Sequence, residues 1–242
     1  KNAEILIAGC GTGQHAITTA SKYKNAEIFA LDLSFNSIAY AKRKAEELNC
    51  KNIEFIQGDL LDLRKLNKKF DIIESVGVLH HMANPLLGWE CLTDCLKKDA
   101  LMLIGLYSEK ARENIANIRE KINSLRIKTT KKNIIDFRKD IFENNTTTWD
   151  SIKYSPDFYS TSGVRDLLFH VQEHRFTIKK IRSHMNKLGL FFLGFEDTYV
   201  LDRFKKKYNQ TNDLYNLDKW EEFEKNNSRI FSGMYQFWCM KI

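Results

Sequence analysis

A chain of 242 residues, 43% hydrophobic and 29% charged, has the make-up of an ordinary folded protein, which excludes a disordered tail, a fibrous repeat and a small disulfide scaffold. The excess of 38 Lys and Arg over 31 Asp and Glu, a net +7, comes without a compact basic run interleaved with aromatics, which argues against a nucleic-acid surface. No apolar run reaches the ~18–20 residues of a membrane span, no secretory leader is legible, and five cysteines without a C-x-x-C pair predict reduced thiols in a cytoplasmic setting.

In chain order, Glu4 to Ala8 reads as a strand whose continuous apolar run, Ile5-Leu-Ile7, suits a parallel strand buried on both faces. Gly9, Gly11 and Gly13 break it, and a helix follows with Ala16, Ile17 and Ala20 on one side. Glycine lets the backbone turn tightly and approach a ligand, and the amides opening the helix are free to meet polar groups. A dinucleotide fingerprint wants G-x-G-x-x-G. Its third glycine would fall at Gln14, so the spacing is G-x-G-x-G, which leans away from NAD and toward S-adenosylmethionine.

Glu27 to Asp32 is a second strand ending in a carboxylate, placed to accept from both ribose hydroxyls of a nucleoside. A helix over Ser34–Leu48 precedes a third strand, Ile53–Gln57. Gly58-Asp59-Leu60 follows, where an acid can accept from the exocyclic amine of adenine and a backbone amide can donate to the ring. Asp62 is the weaker candidate. Phe70–Ser75 is a fourth strand, Pro85 opens a helix running to about Leu96, and Ala100–Tyr107 is a fifth strand. Apolar strands alternating with helices predict an open parallel sheet with its site at the carboxyl ends.

Ile5–Gly13, Asp32, Gly58-Asp59 and Phe70–His81 together resemble the class I S-adenosylmethionine-dependent methyltransferases, and Val78-Leu-His-His81 is similar to their small-molecule branch. More narrowly, Ile5–His15 with Asp157–Thr177 resembles bacterial methyltransferases that often follow tetratricopeptide repeats. The resemblance implies a Rossmann-like, mostly parallel seven-stranded sheet with an antiparallel last strand and S-adenosylhomocysteine as product. It further implies a methyl acceptor, a small molecule, as partner. The narrower resemblance further implies a repeat domain upstream of this chain, which itself contains no such repeat. Gly9, Cys10, Gly11, Gly13 and Gln14 would cradle the methionine and sugar side. Asp32 and Leu33 would take the ribose, Asp59 and Leu60 the adenine, and Ser75 and Val76 would flank the sulfonium. One departure stands out: the family often carries an acid two positions before the first glycine, where this chain has Ile7.

Residues 109–176 fall outside the minimal sheet. Ile115, Ile118, Ile122 and Leu125 predict one amphipathic helix, and Ile134, Ile135, Ile141 and Phe142 a second. Asn144–Thr148 reads as a polar break. A third helix is expected from Gly163 to about Arg175, capped by Ser162, with Asp166 in its first turn. This insertion is expected to form a lid over the carboxyl edge, dividing the chain into a core (1–108), a lid (109–176) and a completing segment (177–242). In that last segment a helix over Ile178–Leu188 precedes strands Leu190–Phe195 and Met234–Met240, joined by a long helical connection carrying Lys205-Lys-Lys207.

Methyl transfer needs alignment and, for an N–H or O–H acceptor, a base. His80 and His81 after the fourth strand are base candidates, and Tyr107 is placed to line the pocket. Glu74 is a candidate for holding a cationic acceptor. His174 or Glu173 is expected in the acceptor pocket, with Tyr159 and Arg165 as further lid candidates. His170-Val-Gln-Glu-His174 matches an H-x-x-E-H zinc string, but the glycine loop already assigns a different ligand, and no metal is expected. The rival readings are a binding module without turnover, an RNA or protein methyltransferase, and an NAD-linked oxidoreductase, which the Gln14 spacing disfavours.

Overall fold

The computed structural model describes residues 2–143 and 149–242. Among them, strands β1 (Glu4–Ala8), β2 (Glu27–Asp32), β3 (Ile53–Gln57), β4 (Phe70–Val76), β5 (Leu96–Tyr107), β6 (Leu190–Phe195) and β7 (Met234–Lys241) form one sheet in the order β3-β2-β1-β4-β5-β7-β6. β7 runs antiparallel to both β5 and β6, and the pairings among the first five strands are parallel. The strand order reverses between β1 and β4, the switch point at which open α/β sheets bind ligands.

The continuous apolar run of β1 is buried on both sides. Ile5 and Ile7 pack with Ala16, Ala20, Ile28 and Ile38 on one face, and Leu6 and Ala8 join Phe29, Leu31, Trp89 and Ile104 on the other. Helix α1 (Gln14–Lys22) follows the glycine loop and α2 (Phe35–Glu47) follows β2. Ser34 Oγ caps α2 by accepting from Ser37 N at 3.2 Å. α3 (Pro85–Asp94) starts where Asn84 Oδ1 accepts from Leu87 N, with Pro85 at the first helical position. It stops before the expected Leu96, because Leu96 is drawn into the sheet opposite Phe70 and β5 starts there.

Beyond β5, α4 (Glu113–Ser124), α5 (Lys131–Glu143) and α6 (Thr161–Leu168) share a separate apolar cluster built on Ile118, Ile122, Ile134, Phe137, Val164 and Leu168. Leu125, Ile135 and Phe142, expected on the buried faces, are exposed instead, and Phe137 fills the α5 face. The expected break at Asn144–Thr148 lies outside the described residues. α6 ends at Leu168 rather than Arg175, and its cap is Ser160, whose Oγ accepts from Gly163 N at 2.9 Å. The reason is tertiary: Phe176 N donates to Tyr107 O, Glu109 N donates to Phe176 O, and Phe176 forms a parallel bridge to Ser108. Residues 170–176 are thereby held outside any helix, with Phe176 beside the end of β5. The chain is completed by α7 (Ile178–Lys187), capped by Thr177, and by α8 (Thr198–Lys207) and α9 (Leu217–Lys225) in the long connection from β6 to β7. Among the described residues no helix is long and apolar enough to cross a membrane.

Candidate functional site

A cavity of about 660 Å³ opens at the carboxyl ends of β1, β2, β3, β4 and β5. That volume lies within the range of small-molecule sites.

The glycine loop forms its floor. Gly9, Gly11 and Gly13 have φ of +80°, +52° and +87°, the left-handed region that a Cβ disfavours. At Gly9 a Cβ would overlap Val78 Cγ2, and at Gly13 it would sit 2.6 Å from Ala41 Cβ. Nothing lies within 4 Å of the corresponding point at Gly11, so the backbone there faces open space. The Gly9 and Cys10 amides both donate to Leu31 O, at 2.8 and 2.9 Å, which pins the loop to the end of β2.

Asp32 is held from two sides. Its Oδ2 accepts from Gly11 N at 2.7 Å and its Oδ1 from Ser34 N at 2.9 Å. Each oxygen keeps a lone pair for a further donor. Asp59 caps a 3₁₀ turn by accepting from Leu61 N at 2.9 Å. Gly9, Gly11, Asp32, Leu33, Asp59, Leu60, His81 and Tyr107 line the cavity. Cys10, Gly13, Gln14, Ser75, Val76, His80 and His174 do not. Cys10 is buried behind the loop, and desolvation, aided by the Asp32 charge, pushes its thiol up to about 12. Ser75 is buried in the sheet, and the cavity wall beside it is Gly77, at φ +82°, and Val78.

The far wall is aromatic and ionisable. His80 stacks on Tyr107 with ring centres 3.6 Å apart, and the Arg112 guanidinium lies 3.6 Å from the centre of the Tyr107 ring. His80 itself is fully buried, with neither ring nitrogen hydrogen-bonded among the described residues. Burial, reinforced by the charges of His81, Arg112 and His170, holds its pKa down to about 2. It is a neutral packing residue. Burial also raises the Tyr107 phenol. His174 turns away: its N–H donates to His80 O at 2.7 Å and its ring meets the Gln172 side chain.

Glu173 is an anchor. Its carboxylate accepts from Arg112 Nη2 at 2.8 Å and Arg119 Nη1 at 3.1 Å, with its side chain 4% exposed. Glu74 faces α1, where it meets His15 Nε2 at 2.7 Å and Thr19 Oγ1 at 3.1 Å, and not an acceptor site. Tyr159 and Arg165 are exposed, and the Tyr159 hydroxyl donates to Lys153 O. His170 and His174 do not share a helix face, because α6 ends before them. No cluster of three or more His, Cys, Asp or Glu among the described residues is arranged to hold a metal ion.

Sequence reasoning missed Asp166 and His170 as cavity residues, along with Ser34, Gly58, Gly77 and Met82. For Gly77 a signal existed, a lone glycine closing an apolar strand. For Asp166 and His170 none did, since their placement depends on where α6 stops.

The uncharacterized protein syc1184_c of Synechococcus is 28% identical over 230 residues, covering 90% of this chain and 55% of that protein. (S)-tetrahydroprotoberberine N-methyltransferase of Eschscholzia californica is 30% identical over 106 residues, 44% of this chain and 30% of that enzyme. The structure of PKMT2 from Rickettsia typhi in complex with AdoHcy superimposes with a TM-score of 0.68 at 18% identity, over 99% of this chain and 50% of that one; at that identity it shows the fold. The chain thus spans about half the length, or less, of these relatives. The methyltransferase domain family model matches residues 1–226. The chain belongs to that family, and its cofactor is S-adenosylmethionine.

Proposed function

We propose that this chain transfers the methyl group of S-adenosylmethionine to a small-molecule acceptor seated against His81, Tyr107, Asp166 and His170. One observation carries the reading: a single cavity joins the glycine loop and two carboxylates, Asp32 and Asp59, to a wall of imidazole, phenol and carboxylate. The residues present fit the donor. Gly11 leaves open space for close backbone approach, Asp32 would take the ribose hydroxyls, and Asp59 with Leu60 would take the adenine. The donor supplies an electrophilic methyl on a good leaving group. The chain's own residues align the acceptor, exclude water and receive a proton. An N-methyltransferase among the relatives supports a nitrogen acceptor. Residues 109–176, which contribute Asp166 and His170 to the cavity, act as the lid.

The test is incubation with tritium-labelled S-adenosylmethionine and, separately, the low-molecular-weight, protein and RNA fractions of a cell extract. Label in the small-molecule fraction is expected. Label confined to protein or RNA would overturn the acceptor class.

A further inference from the structure

His81 and His170 come from different parts of the chain, the 3₁₀ turn after β4 and the non-helical segment after α6, yet their ring centres lie 3.9 Å apart with the ring planes tilted by 34°. Both line the cavity. Both Nδ1 atoms also point at one oxygen: the Gln172 carbonyl is 3.1 Å from His81 Nδ1 and 2.7 Å from His170 Nδ1. A carbonyl oxygen only accepts, so each Nδ1 must carry the hydrogen. The Gln172 N–H lies farther from His170 Nδ1, at 3.3 Å, and the shorter carbonyl contact decides the tautomer. Each Nε2 is then left with a lone pair. Among the described residues the hydrogen bonds of both rings are made at Nδ1.

We propose that His81 and His170 act as one proton-accepting unit, locked by the Gln172 carbonyl with both Nε2 lone pairs available to the acceptor pocket. This rests on the methyltransferase reading above. In the step it serves, the acceptor nitrogen or oxygen forms a bond to the methyl carbon as the carbon–sulfur bond breaks. The electron pair of that bond leaves on sulfur as a thioether, and the acceptor's proton passes to one Nε2. The imidazolium so formed keeps its Nδ1–H on Gln172.

Two imidazoles whose ring centres are 3.9 Å apart cannot both be charged cheaply, so the unit holds one proton at a time. The other groups around it set its working range. Asp166 on α6 and Glu173 favour the charged form. Arg112, which caps the start of α4, and Arg119 on α4 are the nearby cations, both paired with Glu173; His80 and Tyr107 are neutral neighbours, and His174 meets the Gln172 side chain. Burial depresses His81, and the Gln172 carbonyl opposes that effect. The Gln172 side chain reinforces the clamp by donating to Met82 O at 3.3 Å, next to His81.

Nitrogen NMR of isotope-labelled histidines, across the imidazole titration range and without acceptor, tests this directly. At alkaline pH both residues are expected as Nδ1–H tautomers. On acidification they should take up protons in two steps more than about tenfold apart in proton concentration. His170→Gln should leave His81 with a single step, and His81→Gln should do the same for His170. An Nε2–H tautomer at either residue, or two curves unchanged by loss of the partner, would overturn the proposal. Calorimetry with S-adenosylmethionine on the same protein reports separately on donor binding. A locked, coupled pair without donor binding would therefore count against the methyltransferase reading and not against the tautomers.

Discussion

Glu74 in β4 stands beside Ile7 in β1, and its carboxylate reaches across to His15 Nε2 at 2.7 Å. With the Thr19 hydroxyl as a second donor at 3.1 Å, this carboxylate ties the first turns of α1 to the sheet just behind the glycine loop. The acid absent from position 7 thus has a neighbour, one strand over, that braces the same loop through the helix. Glu74→Ala leaves the buried Thr19 hydroxyl without its acceptor and should cost about 1–3 kcal/mol of stability, with weakened S-adenosylhomocysteine binding. Urea denaturation and calorimetry on the variant check both. Glu74→Gln, which retains an acceptor oxygen, should lose less. Unchanged binding in Glu74→Ala would separate the loop from this brace.

The anchor at Glu173 is a stronger case. Arg112 is 5% exposed, and Arg119, whose basicity burial lowers, also donates to His170 O at 2.6 Å. Removing the single carboxylate leaves the buried Arg112 guanidinium without its ion pair and leaves Arg119 with the His170 carbonyl. Glu173→Ala should therefore destabilise by about 3–5 kcal/mol and release residues 170–176 from β5. Hydrogen exchange at Phe176, whose amide is bonded to Tyr107 O, reads that release. Protection equal to wild type would contradict it.

His80 gives a pH dependence whose sign follows from burial. Its pKa is held at about 2 in the folded chain, against an ordinary 6.5. The unfolded chain therefore binds the extra proton as pH falls below about 6.5, and the folded chain does not. Stability from this group is complete above that pH and declines toward about 2, by roughly 1.4 kcal/mol per pH unit. His80→Phe removes the titration, and its stability should fall less steeply with acid by one proton's slope. Denaturant midpoints at neutral and mildly acidic pH measure the difference. Identical slopes would place the uptake on other histidines.

The strands were legible because their apolar runs and glycine or acidic ends are local signals. β1, β2 and β3 occupy the spans their residues predict. The carboxylate at the tip of β2 and the glycine loop were readable for the same reason. The end of α6 was not. The helical pattern of Gly163–Arg175 continues in sequence past Leu168, but Phe176 pairs with the end of β5 and Glu173 is claimed by Arg112, which caps α4, and Arg119 within it. Those are contacts at a distance that no window of residues reveals, and they decide that His170, not His174, reaches the cavity. His80 and His81 illustrate the same limit. They are adjacent in sequence and alike in type, yet one is sealed under Tyr107 and the other lines the site.

The central claim is that the adenosyl donor lies across the carboxyl tips of the sheet, held through Asp32. Its most direct test is titration calorimetry of S-adenosylhomocysteine into the wild-type chain and into Asp32→Ala. The substitution removes the acceptor of the Gly11 and Ser34 amides as well as the ribose contact, so wild-type binding should be saturable and weakened on the order of 10²-fold or more in the variant. No binding to the wild-type chain, or equal binding to both, would contradict the account.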